Sequence, residues 1–486
     1  MKYLIFPVVA ILLWGCSNRV PEGRQTDRIP LVYPDYNDVT IPPNIAPLRF
    51  AMTNPLEEAY AVFSTGSFSE TVKASKGEFK ISESAWKNIL KKAVGQCITV
   101  TITAKAKDGE AEKYLPLKIN VSKEPIDPYI AYRLIEPGYE LWNEMGIYQR
   151  NLENFEQRPI LENRLTDKNC MNCHSFCMQN PDLALFHVRA KHAGTILVNG
   201  KKIEKLNTKT PETISNLVYP SWHPSGKFVA FSVNSTKQSF HTNDPNRIEV
   251  FDEASDVVVY DVEKHEIVTD SLIFSTSVFE TFPTFSPDGK TLYFCSAEAQ
   301  PMPQSFRDVR YSLCSIAFDA ENRCFGDRID TLYRADAENK SVSFPRVSPN
   351  GKFLVFTLSA YGNFSIWHKD ADLYIVDLQT KTTQPLDVLN SDDVESYHSW
   401  SSNSHWLVFS SRRLDGLYTR PFFAYIDDRG KASKPFLLPQ KNTEYYTSLM
   451  KSFNIPEFIT GKVGARTSDL AAKIKNDKGI DLTFAK

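Results

Sequence analysis

Between about residues 29 and 122, apolar and polar positions alternate in short runs broken by turn residues, which predicts strands. Ile98-Thr99-Val100-Thr101-Ile102-Thr103-Ala104 and Leu115-Pro116-Leu117-Lys118-Ile119-Asn120-Val121 are the clearest of these. One helix is predicted to interrupt them, from about 83 to 94, with Ser82 able to cap its start and Gly95 its end. About 90 residues of this kind predict a small β-sandwich over 29–124, and Pro125-Ile126-Asp127-Pro128 reads as its boundary.

The second domain is expected over 125–486, and from about Pro128 to Asn442 it repeats. Pro220-Ser221-Trp222-His223-Pro224-Ser225-Gly226-Lys227 precedes an apolar run. The phrase returns from Pro283, from Pro345 and, worn, from His398. Each copy reads as strand, tight turn, strand. A second phrase, Asp256-Val257-Val258-Val259-Tyr260-Asp261-Val262, returns as Asp372-Leu373-Tyr374-Ile375-Val376-Asp377-Leu378. A four-stranded unit at this spacing is the sequence form of a β-propeller blade. Six blades are expected, near 129–165, 183–218, 219–270, 281–335, 343–388 and 397–441. The extension from about 443 to 486 is expected to pack beneath the ring or help close it. The fold class is thus all-β.

The Pro-x-Phe-Ser-Pro-Asp-Gly-Lys turn and the Leu-Tyr-Ile-Val-Asp-Leu strand resemble the TolB-type propeller repeat of exported bacterial proteins. That resemblance implies a TolB-like propeller for the six blades, behind the sandwich of immunoglobulin or fibronectin type that the strand pattern predicts. It says little of activity, because such propellers serve binding, scaffolding and substrate filtering alike.

The N-terminus changes the picture of where the protein acts. Met1-Lys2-Tyr3 leads an apolar stretch ending Leu13-Trp14-Gly15-Cys16, the pattern of a secretory signal over 1–15. Leu13, Gly15 and Cys16 resemble the lipobox of bacterial lipoproteins, which implies lipidation at Cys16 and a polar tether over 16–28. A lipid-anchored protein of the bacterial cell envelope is expected, on the periplasmic side rather than the surface. A formal net charge of −2 gives no field for nucleic acid, and no nucleic-acid partner is expected.

Candidate chemistry is concentrated at Cys170-Met171-Asn172-Cys173-His174. Cys-x-x-Cys-His is the c-type haem attachment motif. Two thiols add across the two vinyl groups of the porphyrin, and the adjacent imidazole reaches the iron. One covalent haem c is therefore expected, with thioethers at Cys170 and Cys173 and His174 as proximal ligand, on a loop over 163–182 between the first two blades. Thr166 or Asp167 is placed to cap a short helix there. His187 is the first choice for sixth ligand, with His192, His241 and Met178 behind it and an open site as the alternative. Phe176, Phe186, Tyr219 and Trp222 are available to cover the porphyrin. The competing cofactor is zinc, with Cys177 and His187 completing the ligand set. A Cys314–Cys324 disulfide is one option across a hairpin, a reduced pair the other.

No Gly-x-Ser-x-Gly elbow, P-loop or dinucleotide fingerprint occurs. The acidic pairs Asp252-Glu253 and Asp392-Asp393 read as solvated turns. The leading expectation is a redox carrier or redox sensor with an envelope partner docked on the propeller, rather than an enzyme. The second is a binding scaffold in which haem or zinc is structural. The third is a haem enzyme with an open coordination site.

Overall fold

A computed structural model describes residues 20–107, 109–137 and 143–485. Cys16 and the signal segment lie outside the described residues. Among the described residues no helix is long and apolar enough to cross a membrane.

The N-terminal strands form two sheets. Seven strands make the larger, centred on Cys97–Lys105, and Val32–Tyr33, Phe50–Met52 and Glu78–Phe79 make the smaller. Alternation drives the larger sheet: Leu117, Ile119 and Val121 face inward while Lys118 stays exposed. The expected helix spans Glu83–Ala93, and Ser82 Oγ accepts from Ala85 N. It buries Trp86, Ile89, Leu90 and Ala93 on one face. Their core runs on without a break into Trp406, Phe422 and Phe436 of the last repeat. Asp127 fixes the join by accepting from Ser402 N at 2.7 Å and Ser402 Oγ at 2.6 Å.

The rest of the chain forms six antiparallel sheets. Their first strands are Cys170–Phe176, Leu217–Trp222, Val278–Phe285, Ser341–Val347 and Glu395–Trp400 in the second to sixth sheets. Each first strand packs beside the next, so the five line a common axis. The first sheet is completed from the far end of the chain. Ser452–Ile459 pairs antiparallel with Tyr129–Ile135 and sits between the second and sixth inner strands, closing the ring. This closed ring of meander sheets is the architecture of a β-propeller. The extension then runs outward: Ile480–Asp481 and Thr483–Phe484 add parallel edge strands to the second and third sheets.

Two expectations are corrected. The Cys-x-x-Cys-His segment is no loop: Cys170–Phe176 is the inner strand of the second sheet, paired with Leu183–Arg189. The second sheet needs an inner strand as its neighbours do, and this run contains no Gly or Pro to prevent one. Asp252 is no solvated turn either. It is 5 % exposed in a strand and accepts from Asn234 Nδ2 at 2.6 Å and Thr236 Oγ1 at 2.8 Å.

Candidate functional site

Each inner strand carries a bulge at the same level. Two residues stand where the neighbouring strand has one: Asn172-Cys173, Tyr219-Pro220, Phe282-Pro283, Phe344-Pro345, Tyr397-His398 and Ile455-Pro456. Tyr219, Phe282, Phe344, Tyr397 and Ile455 all have φ between 49° and 52°. Such left-handed residues cost on the order of 1 kcal/mol each. They aim four rings at the axis, where Tyr219–Phe282, Phe282–Phe344 and Phe344–Tyr397 centroids lie 4.6, 4.0 and 4.9 Å apart. This aromatic layer partitions the channel. Asn172 occupies the corresponding position in the second sheet without the left-handed turn.

Below the layer, on the C-terminal side of each bulge, lies a cavity. The residues that follow the bulges form its wall: His174, Ser221, Thr284, Arg346, Ser399 and Glu457. Cys173 borders it as well, and the Tyr219 N–H points at the Cys173 sulfur.

His174 is 3 % exposed, and neither ring nitrogen has a hydrogen-bond partner. The Ile455 backbone acts on it from beyond hydrogen-bond geometry. Burial pushes its pKa down to about 3, so the imidazole is neutral. Glu457 Oε2 stands 3.9 Å from His174 Nε2, while Glu457 Oε1 accepts from Phe176 N at 2.9 Å. Burial pushes the Glu457 carboxyl up to about 8. A neutral imidazole beside a protonated carboxyl is not an ion pair. Burial also raises the Cys170 and Cys173 thiols, which are therefore protonated.

The structure thus brings Cys173 and His174 to one cavity with Phe176, Met178, Tyr219 and Trp222. It leaves Cys170 outside that wall, in the apolar cluster with Met145 and Met171. His187 is also elsewhere: it is 2 % exposed, lies opposite the Asn172-Cys173 bulge and pairs Nδ1 with Thr195 Oγ1 at 3.0 Å. Phe186 packs away from the cavity. His192 Nε2 meets Asp167 Oδ2 at 2.9 Å, so Asp167 holds a side chain rather than a helix end. His241 stacks on Phe306. Cys177 donates toward the His223 carbonyl at 3.7 Å. Among the described residues no three His, Cys, Asp or Glu side chains converge as a metal site, so the set expected for zinc is not assembled. All seven described cysteines are free, and Cys324 pairs in register with Asp319, not Cys314.

His174 and Cys173 fit a haem-type ligand set, since an unpartnered neutral imidazole faces a cavity beside a free thiol. Cys170, as it stands in the strand, does not reach the same space. Sequence reasoning missed Glu457, Arg346 and His398. His398 alone left a sign, standing where three repeats carry proline.

No model of a known protein family matches the sequence, and neither does any curated protein. Solved structures match loosely in shape. Oligogalacturonate lyase from Vibrio parahaemolyticus is 11% identical with a TM-score of 0.36, over 63% of this chain and 78% of that one. A hypothetical selenium-binding protein from Sulfolobus tokodaii is 8% identical with a TM-score of 0.41, over 71% and 96%. The β-propeller domain of the trilobed protease from Pyrococcus furiosus is 10% identical with a TM-score of 0.33, over 68% and 79%. The assignment to a propeller rests on the sheets themselves.

Proposed function

We propose that this chain is an envelope lipoprotein, anchored through Cys16, whose six-bladed TolB-like propeller holds one c-type haem at Cys170, Cys173 and His174. Its role is electron transfer or redox sensing toward a protein partner docked on the ring. The observation that carries this reading is the pair of unpartnered His174 ring nitrogens in a cavity wall beside Cys173. A bound haem would supply an iron that accepts and releases one electron. His174, held neutral by burial, is ready to donate a lone pair, and Cys173 is placed for one thioether. The aromatic layer and Trp222 would keep water from the porphyrin. Attachment at Cys170 requires residues 170–172 to turn out of the strand toward the cavity.

The test is a pyridine haemochrome spectrum of denatured protein, expressed with export and haem-attachment machinery. A c-type α-band is expected, and it disappears in Cys170→Ala/Cys173→Ala. Absence of covalent haem despite competent machinery sinks the reading. The position of Cys170 in a packed strand favours a second reading, in which the N-terminal immunoglobulin-like sandwich and the propeller form a binding scaffold. The lower cavity would then receive a ligand directly, and spectra would show no haem. An enzyme with an open iron site stands third, distinguished by a ligand-exchangeable five-coordinate spectrum.

A further inference from the structure

Above the aromatic layer lies a second cavity, and Tyr219 and Tyr397 border both. Among the described residues its wall carries Arg133, Arg189, Arg412 and Lys237 against one carboxylate, Glu136. Lys237 has a partner in Glu253 at 3.8 Å. The three arginines have none: among the described residues no carboxylate lies within ion-pair distance of them.

Arg412 is the informative one. It is 4 % exposed, its Nε is buried without a hydrogen-bond partner, and its guanidinium lies 3.3 Å from the Trp367 ring centroid. Burial pushes it down to about 9, against the pull of Asp393. Asp393 and Asp415 act on it only from beyond ion-pair distance, and a desolvated cation held that way costs roughly several kcal/mol. Arg133 is 6 % exposed and is held in place by the Asn172 carbonyl at 3.0 Å and Asn172 Oδ1 at 2.7 Å, while its Nε is unpartnered. Arg189 stands exposed at the mouth.

We propose that this upper cavity binds a small ligand through its carboxylate or phosphate groups, with Arg412 gripping the oxyanion, Arg133 adding its charge to the wall and Arg189 drawing it in. Planar guanidinium forks match such oxyanions two bonds at a time. Trp367 holds the Arg412 plane fixed, so little freedom is lost on binding. The aromatic layer separates this cavity from the one His174 borders, so the ligand is a free anionic small molecule, and the site stands whether or not the chain carries haem.

Calorimetric titration with inorganic phosphate and with citrate tests this on the full mature chain, alongside Cys170→Ser/Cys173→Ser. Binding that weakens about tenfold or more in Arg412→Gln and in Arg189→Gln is expected. Arg189 is exposed, so its variant keeps the test decisive if Arg412→Gln fails to fold. Binding to both forms supports the proposal, and binding to the cysteine-free chain alone contradicts a site that is independent of the lower cavity. No binding to either, or binding unchanged in both arginine variants, overturns the proposal. The haem reading fails separately, on its spectrum.

Discussion

Glu280 is 0 % exposed in the inner strand of the fourth sheet, and neither of its carboxylate oxygens has a hydrogen-bond partner. Burial, with Asp256 adding to it, pushes the Glu280 carboxyl up to about 8 from 4.5. The folded chain therefore keeps a proton that the unfolded chain releases. Its contribution is complete below about pH 4.5 and is lost as pH rises to about 8. Glu280→Gln should raise the unfolding free energy in urea by roughly a few kcal/mol at pH 8.5 and leave it little changed at pH 4.5. Equal shifts at both values would contradict the assignment. His187 and His398 carry the opposite slope. Each is pushed by burial from 6.5 to about 3, so stability falls as pH drops below about 6.5. A second residue-scale test concerns His223, which sits where the next three repeats have Ser286, Ser348 and Ser401. His223 Nε2 reaches the Gly289 carbonyl at 3.1 Å and ties two sheets together. A Cβ on Gly289 would meet that nitrogen at 2.1 Å, and its φ is +74°. Gly289→Ala should cost roughly 2 kcal/mol or more, and pairing it with His223→Ser should return all but the roughly 1 kcal/mol of backbone strain. Additive losses in a double-mutant cycle would contradict the contact.

At the scale of elements, the ring depends on a strand that no repeat announces. Ser452–Ile459 supplies the inner edge of the first sheet. A chain ending at residue 451 should lose cooperative thermal unfolding, while one ending at 465 should keep it at a lower midpoint. Circular dichroism melts decide this, and a cooperative melt of the shorter chain would deny that the strand closes the fold. The repeats were legible because Pro-x-Gly-Lys turns and apolar runs recur with little change at 220, 283 and 345. Ser452–Ile459 has no following turn, so its Ile455-Pro456 bulge passed as ordinary sequence. Cys170–Phe176 was hidden differently. Cysteine stands where four of the other inner strands have proline, and histidine where three of them have serine or threonine, so the motif masked the blade that holds it. Cys173 and His174 were legible as chemistry from their spacing. Glu457, Arg346 and Arg412 were not, because only ring closure brings strands from such distant parts of the chain to one axis.

At the scale of the molecule, one continuous core joins the N-terminal sheets to the ring. Trp406 marks the join: it is 0 % exposed, and its Nε1 donates to the Glu124 carbonyl at 3.2 Å. Trp406→Ala should cost roughly 3–5 kcal/mol. Calorimetry of the unaltered chain should show the two parts melting in one transition, and two well-separated transitions would contradict a shared core. The aromatic layer is the other feature of this scale. Tyr219 and Tyr397 are walls of both cavities, so an occupant of either one touches side chains that the other depends on.

The closing strand also has a consequence in time. A chain emerging from a ribosome or a translocon displays Cys170–Phe176 long before Ser452–Ile459 exists to flank it. Through that interval both thiols and the imidazole lie on an unfinished sheet, open to any enzyme that acts on them. Once the last strand docks, the same groups are enclosed. A group carried by Cys173 or His174 would therefore have to be joined before the ring closes.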